Sequence, residues 1–147
     1  MLSGNAAYQP SSFDSIATVT VGSGGSSSIT FSSIPSTYKH LQIRALVNTN
    51  RATYGQDDVW FQVNSDTGNN YASHRLQGNG SGASAGASSS VGSVVLYGVA
   101  GTTVTNMFGA FVLDILDYAN TSKYKTFRAL GGVDSNGTVA GFGGWMN

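Results

Sequence analysis

Two histidines, His40 and His74, are the side chains best suited to general acid–base chemistry in this 147-residue chain. His40 stands beside Lys39 and His74 beside Arg75. Neither lies in a nucleophile motif such as G-x-S-x-G or a metal motif such as H-E-x-x-H. Both are therefore interpreted as surface or interface histidines. The sequence predicts no catalytic residue and no enzyme.

The acidic residues, all of them Asp, suggest two other kinds of site. Asp57 with Asp58, or Asp66 among several asparagines, could supply oxygen ligands to a hard cation. Asp and Asn also cap turns, and the residue order of a calcium loop is missing, so no metal and no cofactor are predicted. Asp114 and Asp117 could act as a glycosidase pair, but residues three apart on a strand point to opposite faces. A hydrolase is therefore the least favoured function.

Aromatic side chains could form a platform on which sugars stack, as in carbohydrate-binding β-sandwiches. The candidates for such a glycan platform are Trp60, Tyr71 and Trp145, with Tyr54 and Tyr97 as further members. The alternative is that Trp60 packs against a neighbouring subunit or under a loop. That alternative is favoured because aromatic side chains dominate the energetics of cores and interfaces.

The composition excludes several classes of partner. Charged residues make up 10% of the chain and the formal net charge is zero, whereas about 25% is typical. A neutral chain lacks the basic surface that binds nucleic acid or anionic lipid, so neither nucleic acid nor membrane is predicted as a partner. There is no Cys, no secretory signal and no apolar run of about 20 residues. A protein with few surface charges tends to associate, which favours an oligomer or a larger assembly.

Strand-forming residues dominate, and the chain contains no Glu and few other strong helix formers. The pattern predicts an all-β fold, an antiparallel β-sandwich resembling a jelly roll, with about nine strands. The clearest one places Leu41, Ile43, Ala45 and Val47 on one face. The nearly continuous apolar run 106–118 is typical of a central strand; a helix is the alternative, which the internal Gly109 and the aromatic residues disfavour. The predicted strands are 15–21, 27–34, 41–48, 59–64, 71–77, 93–99, 106–118, 123–134 and 139–146.

Three further features complete the predicted organisation. Residues 1–13 lack periodicity and are interpreted as an extended N-terminal arm, which leaves 14–147 as a single domain. A Gly-rich turn at 22–25 joins the first two strands into a hairpin. The uncharged Gly/Ser/Ala stretch 78–92 is predicted to be a long internal loop, because a linker there would leave two half-sandwiches with bare apolar faces.

Three segments resemble a family of small β-rich structural proteins of tailed bacteriophages, which are head decoration proteins or parts of tails and fibres. They are residues 15–52, 59–90 and 131–147. In the second, an apolar strand is followed by Asn, Asp-Thr-Gly, Asn-Tyr, a short strand, Gly-x-Gly and a Ser/Ala tract. The resemblance implies no catalytic residues. Related chains continue with a further strand pair, whereas this sequence stops at Asn147. Either the tail is missing or the last sheet closes differently here, and an edge left unpaired would be an association site.

These observations predict a bacteriophage virion structural protein, specifically a capsid decoration (cement) protein on the particle surface. The alternatives are a tail or fibre component and a carbohydrate-binding module for host surface glycan. The expected partners are major capsid or tail proteins and further copies of the chain, arranged as a trimer. The expected interface anchors are Tyr8, Phe13, Tyr54 and Trp60.

Overall fold

The computed structural model describes residues 13–52, 55–101, 105–133 and 138–146. The chain divides into two compact units, Met1–Ser36 and Thr37–Asn147, whereas the sequence analysis placed a boundary after residue 13. The described residues contain eight β-strands and no helix, which confirms the all-β class. The strands are β1 (Leu41–Val47), β2 (Gln56–Phe61), β3 (Tyr71–Gly78), β4 (Ala83–Val91), β5 (Val94–Ala100), β6 (Gly109–Leu116), β7 (Lys125–Val133) and β8 (Thr138–Met146).

The first unit contains the predicted Gly-rich turn but not the strands expected on either side of it. The backbone N–H of Gly25 donates to the carbonyl of Gly22 at 3.0 Å, and Gly25 has a φ of 73°. No β-ladder is formed at 15–21 or 27–34, so the predicted hairpin strands are wrong. A hairpin with no sheet to cover it is at best marginally stable in water. The predicted arm 1–13 lies outside the described residues except for its last position.

The second unit contains two antiparallel sheets. The larger sheet has six strands in the order β1-β6-β7-β8-β3-β4, and the smaller one pairs β2 with β5. β8, the last strand of the chain, lies between β7 and β3 and is paired on both sides. β8 therefore presents no unpaired edge among the described residues.

Most predicted strands of this unit are confirmed, with shifts at their ends. On β1 the alternating residues Leu41, Ile43, Ala45 and Val47 pack against the core, as predicted. β2 begins three residues before the predicted Val59. β6 is shorter than the apolar run that predicted it, but it is a central strand and not a helix.

The predicted loop at 78–92 is wrong, because most of it forms β4 and pairs with β3 along its length. Only a tight turn joins the two strands, where Asn79 Oδ1 accepts the backbone N–H groups of Ser81 and Gly82. Small, uncharged side chains pack poorly but leave the backbone free to pair with the edge of β3. Ala recurs at every second position, 83, 85 and 87, which is the two-residue period of a strand.

One hydrophobic core draws on both sheets. Its buried members on the larger sheet include Phe111, Leu113 and Phe127, and on the smaller sheet Val94, Leu96 and Val99 are each at most 1% exposed. Val59 and Phe61 of β2 also pack against this core, and Trp60 between them points away, as the sequence predicted.

Candidate functional site

The face of the six-stranded sheet that points away from the core, called the outer face here, carries exposed apolar side chains. Leu46, Leu130 and Leu76 are 71%, 61% and 64% exposed. The strand register aligns one set of residues across five strands, and we call this set the apolar row. It consists of Val112, Leu130, Gly141, Leu76 and Ala85.

Leu46, Val112 and Leu130 also line a shallow, mainly apolar depression of about 630 Å³. Its floor is completed by small residues, Ala110, Gly131 and Gly132. Contiguous exposed apolar surface of this kind marks interaction sites, whereas single exposed apolar residues do not. The outer face is therefore a candidate interaction surface.

A polar row lies beside the apolar one. Gln42 of β1, Asp114 of β6 and Arg128 of β7 stand in register. The Asp114 carboxylate accepts hydrogen bonds from Gln42 Nε2 at 2.7 Å and from Arg128 Nε at 3.0 Å. The hydrogen bond from Gln42 and the charge and hydrogen bond of Arg128 hold the pKa of Asp114 below its usual value. Arg44 donates to Gln42 Oε1 and extends the network.

Trp145, one of the predicted platform residues, lies on β8 and is partly exposed. Its ring stacks on Tyr124, with centroids 5.2 Å apart and an interplanar angle of 21°. The residues next to Trp145 in register are Thr126 and Ala72. Trp60 belongs to the other sheet, so the two tryptophans do not share a platform.

Trp60 borders a groove of about 220 Å³ between the edge of the smaller sheet and the hairpin of β3 and β4. Arg75 and Ser73 line it from β3, and Ser88 from β4. Trp60 is 75% exposed. An aromatic face beside a guanidinium and several hydroxyls is a combination that can stack on and hydrogen-bond to a sugar.

Tyr71 is wrong as a platform residue, because it is fully buried in the core and its hydroxyl bonds to backbone groups of the turn that precedes it. Phe13 is exposed, and its role as an interface anchor stays a prediction. Tyr8 and Tyr54 lie outside the described residues, and so does the side chain of Tyr97.

The carboxylates considered as cation ligands have other partners. Asp57 accepts hydrogen bonds from Thr49 at 2.7 Å and from Arg51 at 2.9 Å. Burial raises the pKa of Asp57, but hydrogen bonds from Thr49, from its neighbour's backbone and from Arg51 together lower it below its usual value. Burial and the charge of Asp57 raise the pKa of Asp58. Asp66 caps its own turn by accepting the backbone N–H of Gly68 at 2.8 Å.

The proposed glycosidase pair is not assembled. The Asp114 carboxylate belongs to the polar row, whereas Asp117 lies in the turn after β6 and pairs with Lys123. His40 Nδ1 accepts the backbone N–H of Asp117 at 3.0 Å and lies 3.9 Å from its carboxylate. The other histidine, His74, is exposed on the outer face. Within the described part of the chain, neither histidine is hydrogen-bonded to a Ser or Thr hydroxyl.

The outer face and the Arg75 side of the groove were not identified from the sequence. A signal for the outer face was present in β6, where apolar residues occupy both faces of one strand. Such a strand is normally covered on both sides. Here Val112 of β6 is exposed, and so is Leu130, its neighbour on β7. The groove has no comparable signal, because its walls come from segments far apart in the chain.

Among the described residues there is no group of three or more His or Asp side chains that could hold a metal ion. Within the same part of the chain, no helix is long and apolar enough to cross a membrane. Comparisons with protein-family models, curated proteins and solved structures found no match to this chain.

Proposed function

We propose that this protein is a structural subunit of a tailed-phage virion, specifically a capsid decoration protein that acts through buried subunit interfaces rather than by turnover. The observation that carries the proposal is the exposed apolar outer face, with Leu46, Leu130 and Leu76 each more than 60% exposed. The resemblance of the sequence to small phage structural proteins supports the same role, and it is the reason for proposing a virion as the assembly.

The energetics of the outer face suit a component that occurs in many copies. Burying one exposed Leu contributes about 1.5–3 kcal/mol, so the three leucines could stabilise a subunit contact by several kcal/mol before ordering costs. Copies arranged around a common axis multiply such contacts by avidity. The proposal includes a trimer, with the N-terminal arm and Phe13 lying along a neighbouring subunit.

A jelly-roll-like sandwich is the architecture that we propose for the second unit. Its support is the shared core, in which Val94, Leu96 and Val99 of the smaller sheet join Leu113 and Phe127 of the larger one. In that arrangement one face of the larger sheet is covered from within the chain, and the outer face is the one available to neighbours.

The location of the protein on purified phage particles tests the proposal. Immunogold labelling should place it on the head, and quantitative mass spectrometry should find hundreds of copies per particle. A handful of copies at the tail would retain a virion role but replace decoration with a tail or fibre role. Particles that lack the protein altogether would overturn the proposal.

The groove beside Trp60 favours a second function, the binding of host surface glycan. The exposed indole of Trp60 offers a stacking surface, and Arg75 with the Ser73 and Ser88 hydroxyls offers polar contacts. A glycan array should then yield a ligand whose binding is lost in Trp60→Ala and kept in Trp145→Ala, which removes a partly exposed tryptophan elsewhere on the domain. An array with no binder would exclude this function and leave the structural role intact.

A further inference from the structure

β4 is an edge strand with no partner on one side among the described residues. Its nine residues, ASAGASSSV, contain no charge and no proline. Natural edge strands are usually protected against pairing with other chains by charged residues, prolines or bulges. The opposite edge, β1, carries Arg44, and β2 carries Asp57 and Asp58 at a register shift. β4 lacks such protection between Ala83 and Ser88.

The hairpin geometry shows which backbone groups of β4 point to the free side. The N–H of Asn79 donates to the carbonyl of Gly82 at 3.2 Å, which makes these two residues a hydrogen-bonded pair. Bonded and non-bonded pairs alternate along antiparallel strands, so Ser84 and Gly86 bond to β3. The residues that alternate with them direct their backbone N–H and C=O groups away from β3, and these residues are Ala83, Ala85 and Ala87.

We propose that β4 pairs antiparallel with β4 of a second copy of this chain, about a two-fold axis at Ala85. Ala85 then lies opposite Ala85 of the second copy, and Ala83 lies opposite Ala87. The three bonded residue pairs supply about six backbone hydrogen bonds. The pairing ends where the ladder with β3 becomes irregular, near Ser90, whose φ is 54°.

A second copy fits this edge for three reasons. The outward residues are all Ala, so two antiparallel copies match in spacing and no side chain obstructs the approach. The sequence between Arg75 and Asp114 contains no charged residue, so the pairing sets no like charges of this stretch against each other. The register also joins the two apolar rows end to end, because Ala85 is the last member of the row on each copy. The pairing depends on the backbone groups along the free side of β4 and not on the exposed leucines, so this inference does not rest on the proposed virion role.

Disulfide trapping tests the contact directly, because the chain has no native Cys. In the full-length protein, Ala85→Cys places two thiols at a bonded pair, where the Cα atoms of antiparallel strands are about 5.5 Å apart, within disulfide range. Mild oxidation should give a covalent dimer on a non-reducing gel. The control is Ser122→Cys in the exposed turn after β6, which should stay largely monomeric on the gel. Trapping at Ala83 or Ala87 in preference to Ala85 would overturn the proposed register.

A charge variant tests the same contact without oxidation. Ala85→Lys sets two ammonium groups against each other across the axis, and sedimentation should show the dissociation constant raised at least about tenfold. Ser81→Lys adds the same charge at the exposed hairpin tip and should leave association unchanged. Circular dichroism should show both variants folded. A monomeric wild-type protein would overturn the proposal. So would an oligomer that keeps its mass in Ala85→Lys and gives no covalent dimer in Ala85→Cys.

Discussion

The hydroxyl of Tyr71 donates a hydrogen bond of 2.9 Å to the backbone carbonyl of Asp66, although the tyrosine is fully buried. The same oxygen accepts the backbone N–H of Val63 at 3.2 Å. One core side chain thus ties together the two ends of the turn that leads into β3. In that turn Asn64 and Ser65 both adopt positive φ, so the local backbone needs an external anchor.

Replacing Tyr71 with Phe keeps the ring and removes only the anchor. The part-buried N–H of Val63 and C=O of Asp66 would lose a partner, and the free energy of unfolding should fall by about 1–3 kcal/mol. Urea denaturation measures this change. Tyr124→Phe is the control, since that ring is exposed and stacked on Trp145, and it should change stability by less than about 0.5 kcal/mol. An equal loss in both variants would contradict the anchoring role of the Tyr71 hydroxyl.

Gly144 of β8 is predicted to tolerate no side chain. A Cβ there would overlap the carbonyl oxygen of Ala72 and lie 2.7 Å from Cζ of Phe127. The carbonyl of Ala72 is part of the backbone of β3, a central strand, and cannot move aside. Gly144→Ala should therefore lower the free energy of unfolding by about 3 kcal/mol or prevent folding. A Cβ added at Gly141 in the same strand would meet nothing within 4 Å, so Gly141→Ala should stay within about 1 kcal/mol of wild type. Thermal denaturation of the two variants checks the difference.

Acid should weaken the polar row through Asp114. The hydrogen bond from Gln42 and the ion pair with Arg128 lower the pKa of Asp114 in the folded state relative to the unfolded state. The stabilisation is therefore present above the usual carboxyl pKa and is lost as the pH falls through the lower folded value. When the free energy of unfolding is measured between about pH 5 and pH 2, it should fall less steeply with decreasing pH in Asp114→Asn than in wild type. A slope as steep in Asp114→Asn as in wild type would contradict this role of the Asp114 carboxylate.

Leu130 tests the outer face as an assembly surface. Leu130→Asp places a charge in the middle of the apolar row and should abolish incorporation into particles, because burying an unpaired carboxylate at an interface is costly. The isolated domain should remain folded, since Leu130 is 61% exposed. Ser122→Asp adds the same charge in an exposed turn and should incorporate normally. Copy numbers from mass spectrometry of purified particles measure both, and normal incorporation of Leu130→Asp would exclude this face from assembly.

Strands that combine a period of two with apolar side chains were predictable because that pattern is local. β1 and the inward side of β2 are examples, and their core-facing residues were identified correctly. β4 was missed because its side chains contribute almost nothing to a core, and its pairing depends on the backbone of β3. The strands expected at 15–21 and 27–34 show the converse case, since a suitable pattern formed no ladder.

The site residues divide in the same way. The outward direction of Trp60 followed from its alternation with Val59 and Phe61, whereas the burial of Tyr71 depended on turn carbonyls that only the folded chain brings to its hydroxyl. The groove beside Trp60 joins β2 to β3 and β4, and no spacing in the sequence relates those segments.

The sequence by itself determined the all-β class, the near absence of charge and the alternation that turns one face of each clear strand inward. These properties depend on residue type and on a repeat of two, which are both local. Only the tertiary structure decided that β8 is central, that β4 is an unprotected edge and that Leu46, Leu130 and Leu76 share one exposed face. Strand order and register set these features, and both depend on backbone pairing between segments distant in sequence.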